Sequence, residues 1–231
     1  MEKVVALIKA RGFGSTLPGK NMYPLNGIPV LSHAIQTLSD TSFIDRVYVW
    51  SESEEIRTLT QRMGAVPLER PLSMVHYSSG FHTDHEFNFH SLNQIKDDIN
   101  APLEVMVNFN CNYVLFEAES LEKMFHKFME DHQARTIIAL SSVEPWLCFD
   151  NGCHGLFPFM NDSNIPEQNY PRIYRKLGIS MFKCGLQYAS LKKQIFFPVS
   201  HKEGIDLHDS SDAVLIEYYL KKKNTTAGKN G

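Results

Sequence analysis

Val4-Val5-Ala6-Leu7-Ile8-Lys9-Ala10-Arg11-Gly12-Phe13-Gly14-Ser15-Thr16-Leu17-Pro18-Gly19-Lys20-Asn21 reads as a buried strand running straight into a glycine-rich basic loop. Val, Ala, Leu and Ile in unbroken succession need cover on both faces, as in a parallel sheet. The loop supplies Gly12, Gly14 and Gly19, the cations Arg11 and Lys20, and a run of backbone N–H groups. That is equipment for gripping the phosphates of a nucleotide. The spacing is not a Walker loop, because Lys20 is followed by Asn21 rather than Ser or Thr. Nor is it the dinucleotide fingerprint, since Leu17 stands where the third glycine belongs. A Gly/Pro surface turn carrying two cations also fits the stretch.

Outward from this strand the pattern alternates. Strands are expected at Val4–Ala10, Arg46–Ser51, Glu104–Phe109 and Thr136–Ser141. Between them, Val30–Leu38 places apolar residues at a spacing near that of a helix. Glu54–Met63 begins with acids and ends at Gly64, as a capped helix should. Thr83 and Glu86 form a capping box that opens a helix to about Ile99. Glu119–Glu130 has Leu121, Met124, Phe125 and Phe128 on one face. This order predicts an α/β fold with a doubly wound, mostly parallel sheet. From Pro145 to about residue 178 the pattern degrades into an irregular excursion, suited to dimerisation or site cover. Strands at Ile179–Cys184 and Ile195–Val199, a short helix near Tyr188–Lys192 and a helix from Ser210 to Leu220 follow. One domain over 1–222 with a flexible tail from 223 to 231 is expected. Ligands of open α/β sheets sit beyond the carboxyl ends of the strands, where the opening loop falls.

With 231 residues and 43% apolar content, the chain can bury a sizeable core. A net charge of −3 with dispersed cations argues against nucleic-acid binding. No signal peptide or membrane span is visible, and Lys9 interrupts the first apolar run. The four cysteines form no Cys-x-x-Cys pair and read as reduced thiols, so a cytoplasmic location is expected. His82, His85 and His90 with Asp84 and Glu86 have the composition of a metal cluster, but the capping box accounts for the segment without one.

Ala10-Arg11-Gly12-x-Gly14-Ser15-x-Leu17-Pro18-Gly19-Lys20-Asn21, followed by Leu25-Asn26-Gly27-Ile28-Pro29, resembles the opening of the acylneuraminate cytidylyltransferases, and more distantly that of the Kdo cytidylyltransferases. The likeness continues through Asp45-Arg46-Val47-Tyr48-Val49, Leu68-Glu69-Arg70-Pro71 and Gly204-Ile205-Asp206-Leu207-His208-Asp209. It implies a Rossmann-like nucleotidyltransferase and a homodimer. Such an enzyme passes CMP from CTP to a sialic-acid-like sugar acid and releases pyrophosphate, with Mg2+ or Mn2+ on the phosphates.

The resemblance assigns Arg11 and Lys20 to the phosphates, with Gly12, Gly14 and Ser15 in the same loop, and Asn21 to the cytosine edge. Arg70 becomes a further nucleotide contact. Asn110, Arg172 and Arg175 fall on the sugar-acid half, and Asp206 on a metal-binding carboxylate. A fork of guanidinium donors suits phosphate and carboxylate oxygens, and an amide offers both donor and acceptor to a pyrimidine. The chain departs from the family where catalysis is seated. His208 occupies the position of a second metal carboxylate, and imidazole suits manganese or zinc better than magnesium. Ser15 stands in place of a lysine, and Leu177 in place of a polar sugar contact. A catalytically impaired relative that binds nucleotide or a partner without turnover is the alternative expectation.

Overall fold

The structure, a computed structural model, describes residues 3–13, 17–75, 84–143, 148–150, 156–158 and 172–227. In chain order the elements are β1 (Lys3–Lys9), β2 (Pro24–Leu25), β3 (Ile28–Pro29), α1 (Val30–Ser39), β4 (Arg46–Ser51), α2 (Glu54–Arg62), β5 (Val66–Glu69), α3 (Asp84–Ile99), β6 (Leu103–Phe109) and α4 (Ala118–Glu130). They continue with β7 (Ala134–Val143), β8 (Cys148–Asp150), β9 (Leu156–Pro158), β10 (Ile173–Lys183), β11 (Lys193–Val199) and α5 (Ser210–Ala227).

Seven strands form one sheet in the order β11-β7-β10-β6-β1-β4-β5. β1 runs parallel to both β4 and β6, β4 to β5, and β7 to β11. β10 is inserted antiparallel between β6 and β7. The expected α/β, doubly wound and mostly parallel sheet is therefore the observed fold. From β1 the chain steps one way to β4 and β5, then crosses back to β6 on the other side. The crevice beyond the carboxyl ends of β1 and β6 is the switch point at which such sheets bind ligands.

Alternation along β1 divides the core into two layers. Val4, Ala6 and Ile8 face α1, α4 and α5, meeting Leu31, Ile35, Leu121, Phe128 and Ile216. Val5 and Leu7 face the other way, where Phe87 and Ile95 of α3 pack with Tyr48, Trp50 and Met106. The continuous apolar run of β1 is thus explained by cover on both faces. At the start of α2, the Ser53 hydroxyl accepts the Ile56 N–H, and Gly64 follows the helix at φ +78°. Those are the start and stop signals expected for that segment.

Four segments differ from expectation. β5 escaped notice because it is short and contains Pro67, which an edge strand tolerates. Residues 173–178, assigned to the irregular excursion, belong to β10, whose Tyr174, Arg175 and Lys176 pair with Ser142, Ser141 and Leu140 of β7. Charged residues at the strand's outer end mask its period, and the ladder to β7 supplies what local pattern does not. Residues 223–227, read as tail, continue α5 to Ala227. Lys221, Lys222 and Lys223 lie within this helix, ahead of its last turn. The short helix expected near Tyr188–Lys192 is a 3-10 turn at Leu186–Tyr188.

Candidate active site

A cavity of about 530 Å3 opens at the carboxyl ends of β1 and β6, on the face of the sheet that carries α3. Arg11, Lys20, Asn21, Arg70 and Asn110 all line it. Five candidates scattered over a hundred residues of sequence therefore share one space.

Glycine is required where the loop begins. A Cβ on Gly12 would lie 2.9 Å from that of Ser53, so only glycine lets the loop press against the β4–α2 connection. The Gly12 N–H donates to Glu52 Oε1 at 2.7 Å. Gly14 and Ser15 lie outside the described residues. Gly19, at φ +62°, turns the chain into a 3-10 turn over Lys20–Met22 that presents Lys20 and Asn21 to the cavity.

Asn21 Nδ2 donates to the Arg11 carbonyl at 2.7 Å, which ties the two ends of the loop together. Its Oδ1 accepts the Cys111 thiol at 3.0 Å. Burial pushes that thiol up to about 12, which keeps it a donor. One amide N–H and one lone pair of Asn21 remain for a ligand. Lys20 Nζ donates to the Leu207 carbonyl at 3.1 Å, linking the loop to the Asp206–His208 segment.

Arg70 is buried at 4% exposure, not the surface arginine its Arg-Pro context allows. Its guanidinium lies 4.8 Å from the Trp50 ring and 5.1 Å from that of Phe87. Nε donates to the Met74 carbonyl at 2.9 Å, and Nη2 donates to the same oxygen. Asn110 is held by its own N–H on the Gly178 carbonyl at 3.0 Å and by the Asn112 N–H on its Oδ1 at 3.0 Å. A Cβ on Gly178 would sit 2.8 Å from that of Asn110, so this glycine is what lets β10 close on the site.

Other candidates lie outside the cavity. Arg172 is exposed, and Arg175 donates to the Gly204 carbonyl. Their neighbour Lys176 lines the cavity instead. Asp206 does not line the cavity; it precedes Leu207, whose carbonyl accepts from Lys20. Its Oδ1 is buried with no hydrogen-bond partner among the described residues, and its Oδ2 lies 3.5 Å from His208 Nδ1. Burial raises the Tyr113 hydroxyl pKa, and the Asp206 charge raises it further. Asp209 and Asp212 accept backbone N–H groups at the start of α5, so they act as caps. Among the described residues no three metal-ligating side chains gather.

Lys9, Asn88, Asn108 and Ser180 also line the cavity, although none was singled out as a site residue. The signal was present: a lysine and an asparagine late in two otherwise apolar strands.

The family model described as Cytidylyltransferase matches residues 5–144. The chain belongs to the cytidylyltransferase family. It is a nucleotidyltransferase by that membership, as the opening loop implies. The 8-amino-3,8-dideoxy-manno-octulosonate cytidylyltransferase of Shewanella frigidimarina is 26% identical over 195 residues, covering 77% of this chain and 73% of that protein. The Shewanella woodyi protein of the same name is 27% identical over 195 residues, covering 76% and 73%. These relatives fall in the Kdo-like branch, which the opening motif resembles more distantly than the acylneuraminate branch.

CMP:2-keto-3-deoxy-manno-octonic acid synthetase, solved with CTP, superposes with a TM-score of 0.68 at 14% identity, over 96% of this cytidylyltransferase and 100% of that chain. A 4-diphosphocytidyl-2C-methyl-D-erythritol synthase from Anaerococcus prevotii gives 0.66 at 14% identity, over 95% and 99%. Both share the fold. Among the described residues no helix is long and apolar enough to cross a membrane.

Proposed function

We propose that this cytidylyltransferase transfers CMP from CTP to a 3-deoxy-2-keto sugar acid and releases pyrophosphate. The convergence of Arg11, Lys20, Arg70 and Asn21 on one cavity at the sheet's switch point carries this reading. The acceptor's anomeric oxygen attacks the α-phosphorus, the bond to the bridging oxygen breaks, and pyrophosphate leaves. Arg11 and Lys20 hold phosphate oxygens and offset charge that builds on the leaving group. Asn21 is held by the Arg11 carbonyl and Cys111 in the orientation that reads a cytosine edge.

Asp206 is the residue that would hold a divalent cation, magnesium or manganese. The orphaned, buried Oδ1 fits that use, and magnesium sites next to phosphates often need only one or two carboxylates. Such an ion supplies charge neutralisation and polarises the phosphoryl group. His208, 61% exposed, is a poor second magnesium ligand. That departure favours a second reading, in which nucleotide is bound without turnover.

The relatives suggest an eight-carbon acceptor, and the opening motif suggests a nine-carbon, sialic-acid-like one. A homodimer in the cytoplasm is the working arrangement, checked by light scattering. The deciding experiment incubates the protein with CTP, Mg2+ or Mn2+, and both acceptor classes, and measures pyrophosphate. Release with one class is the expected result. CTP binding with no pyrophosphate under any combination would establish the second reading instead.

A further inference from the structure

The floor of the cavity is polar where a buried sheet face is normally apolar. On β1, Val5 and Leu7 pack under α3, and the next residue on that face is Lys9. Leu7 is paired in register with Asn108 of β6, and Asn108 with Ser180 of β10. Lys9, Asn108 and Ser180 therefore form a polar patch across three adjacent strands. Lys9 Nζ donates to Asn88 Oδ1 of α3 at 2.7 Å, which fixes the ammonium group at the cavity wall. Asn108 Oδ1 is buried without a hydrogen-bond partner among the described residues. Arg11, Lys20, Arg70 and Lys176 add further cations to the cavity lining, and no carboxylate lines it among the described residues.

A buried amide oxygen without a partner is a poor solution for folding and a good one for ligand recognition. That oxygen calls for a hydrogen-bond donor, while the Lys9 ammonium on the same cavity floor repels a second ammonium group, so together they favour a hydroxyl. Lys9 lies on the strand itself, two residues before Arg11, so a ligand bridging the two would join the phosphate grip to this floor.

Resting on the reaction proposed above, we propose that Lys9, Asn88 and Asn108 form the acceptor-specificity subsite, and that it selects a sugar acid whose tail is a hydroxyl over one whose tail is an amine. The chain would thus differ in acceptor from the amino-sugar enzymes it resembles. Lys9 and its partners act on which acceptor binds, not on the attack at phosphorus.

The test measures binding, so it does not depend on turnover. Calorimetry on the full chain with a non-hydrolysable CTP analogue compares a 3-deoxy-octulosonic acid with its 8-amino-8-deoxy counterpart. The wild type is expected to bind the hydroxyl acid at least about tenfold more tightly, which is about 1.4 kcal/mol. Lys9→Met should bring the two within about threefold, and Asn88→Ala should have a smaller effect in the same direction, with affinity for the CTP analogue held within about twofold in both. Retained binding of the analogue shows that the variants fold. Equal binding of the two acids by the wild type, preference for the amine, or binding of neither would overturn the assignment. So would a Lys9→Met protein whose discrimination is unchanged. Absence of turnover with selective binding would refute the proposed reaction and leave the subsite standing.

Discussion

Replacing Arg70 with leucine tests whether the buried guanidinium holds the site together. In the native protein it packs against the rings of both Trp50 and Phe87, which meet edge to face, and is bonded to the Met74 carbonyl. A desolvated cation–π contact is worth about 2 kcal/mol. A hydrogen bond from a charged group adds about 1.5–3 kcal/mol. Against these stands the desolvation of the guanidinium, several kcal/mol, which leucine relieves while filling part of the same space. The balance is a net loss of about 2 kcal/mol, because the Met74 carbonyl is left without this charged donor. In a chain of this size that lowers Tm by about 4–8 °C. Urea unfolding followed by tryptophan fluorescence measures it, since the guanidinium packs on Trp50. At a temperature where the variant is folded, CTP affinity should fall by about tenfold or more. A stability change within about 0.5 kcal/mol, the range of an ordinary surface substitution, would refute the energetic reasoning. An unchanged CTP affinity in a folded variant would remove Arg70 from the nucleotide site.

If the proposed reaction runs through a cation held by Asp206, Asp206→Asn should lower turnover by about a hundredfold or more while CTP affinity moves little, since metal neutralisation of phosphates is worth several kcal/mol. His208→Asp supplies a second carboxylate two residues from Asp206 and should raise magnesium-dependent pyrophosphate release, read over a magnesium titration. Gly178→Ala forces a Cβ to within 2.8 Å of Asn110. It should cost about 1–3 kcal/mol of stability by overpacking and reduce kcat/KM with it. Burial pushes Tyr48 and Cys111 up to about 12, so the folded state favours their protonated forms. Their contribution to stability is complete below about pH 8 and is lost as pH rises past the unfolded values near 9–10 toward 12. Urea midpoints at pH 8, 10 and 11 should fall in that order, and Cys111 should resist iodoacetamide at pH 8 until urea is added.

Legibility in the sequence followed the range of the interaction concerned. α2 was readable because Ser53, the leading acids and Gly64 act within one turn of the helix they bound. The site's basic loop was readable for the same reason: Gly12, Gly19, Lys20 and Asn21 shape one another locally. Asp209 and Asp212 act over the same short range, as caps that bond backbone two to four residues away. β10 was not legible at its outer end, since its ladder is made with residues some thirty positions earlier. Arg172 and Arg175 were placed with the sugar acid by likeness of motif alone, and strand register put Lys176 in the cavity instead.

The α/β architecture, the strand covered on both faces and the glycine-rich basic loop after it were readable from sequence alone. Those rest on side-chain period, capping and glycine geometry, which a few neighbouring residues specify. Only the tertiary structure decided which polar residues meet. Lys9 and Asn88 are 79 residues apart, and Lys20 and Leu207 are 187 apart. No local pattern encodes such pairs, because they exist only when a particular strand order brings two carboxyl ends together and lays α3 across them.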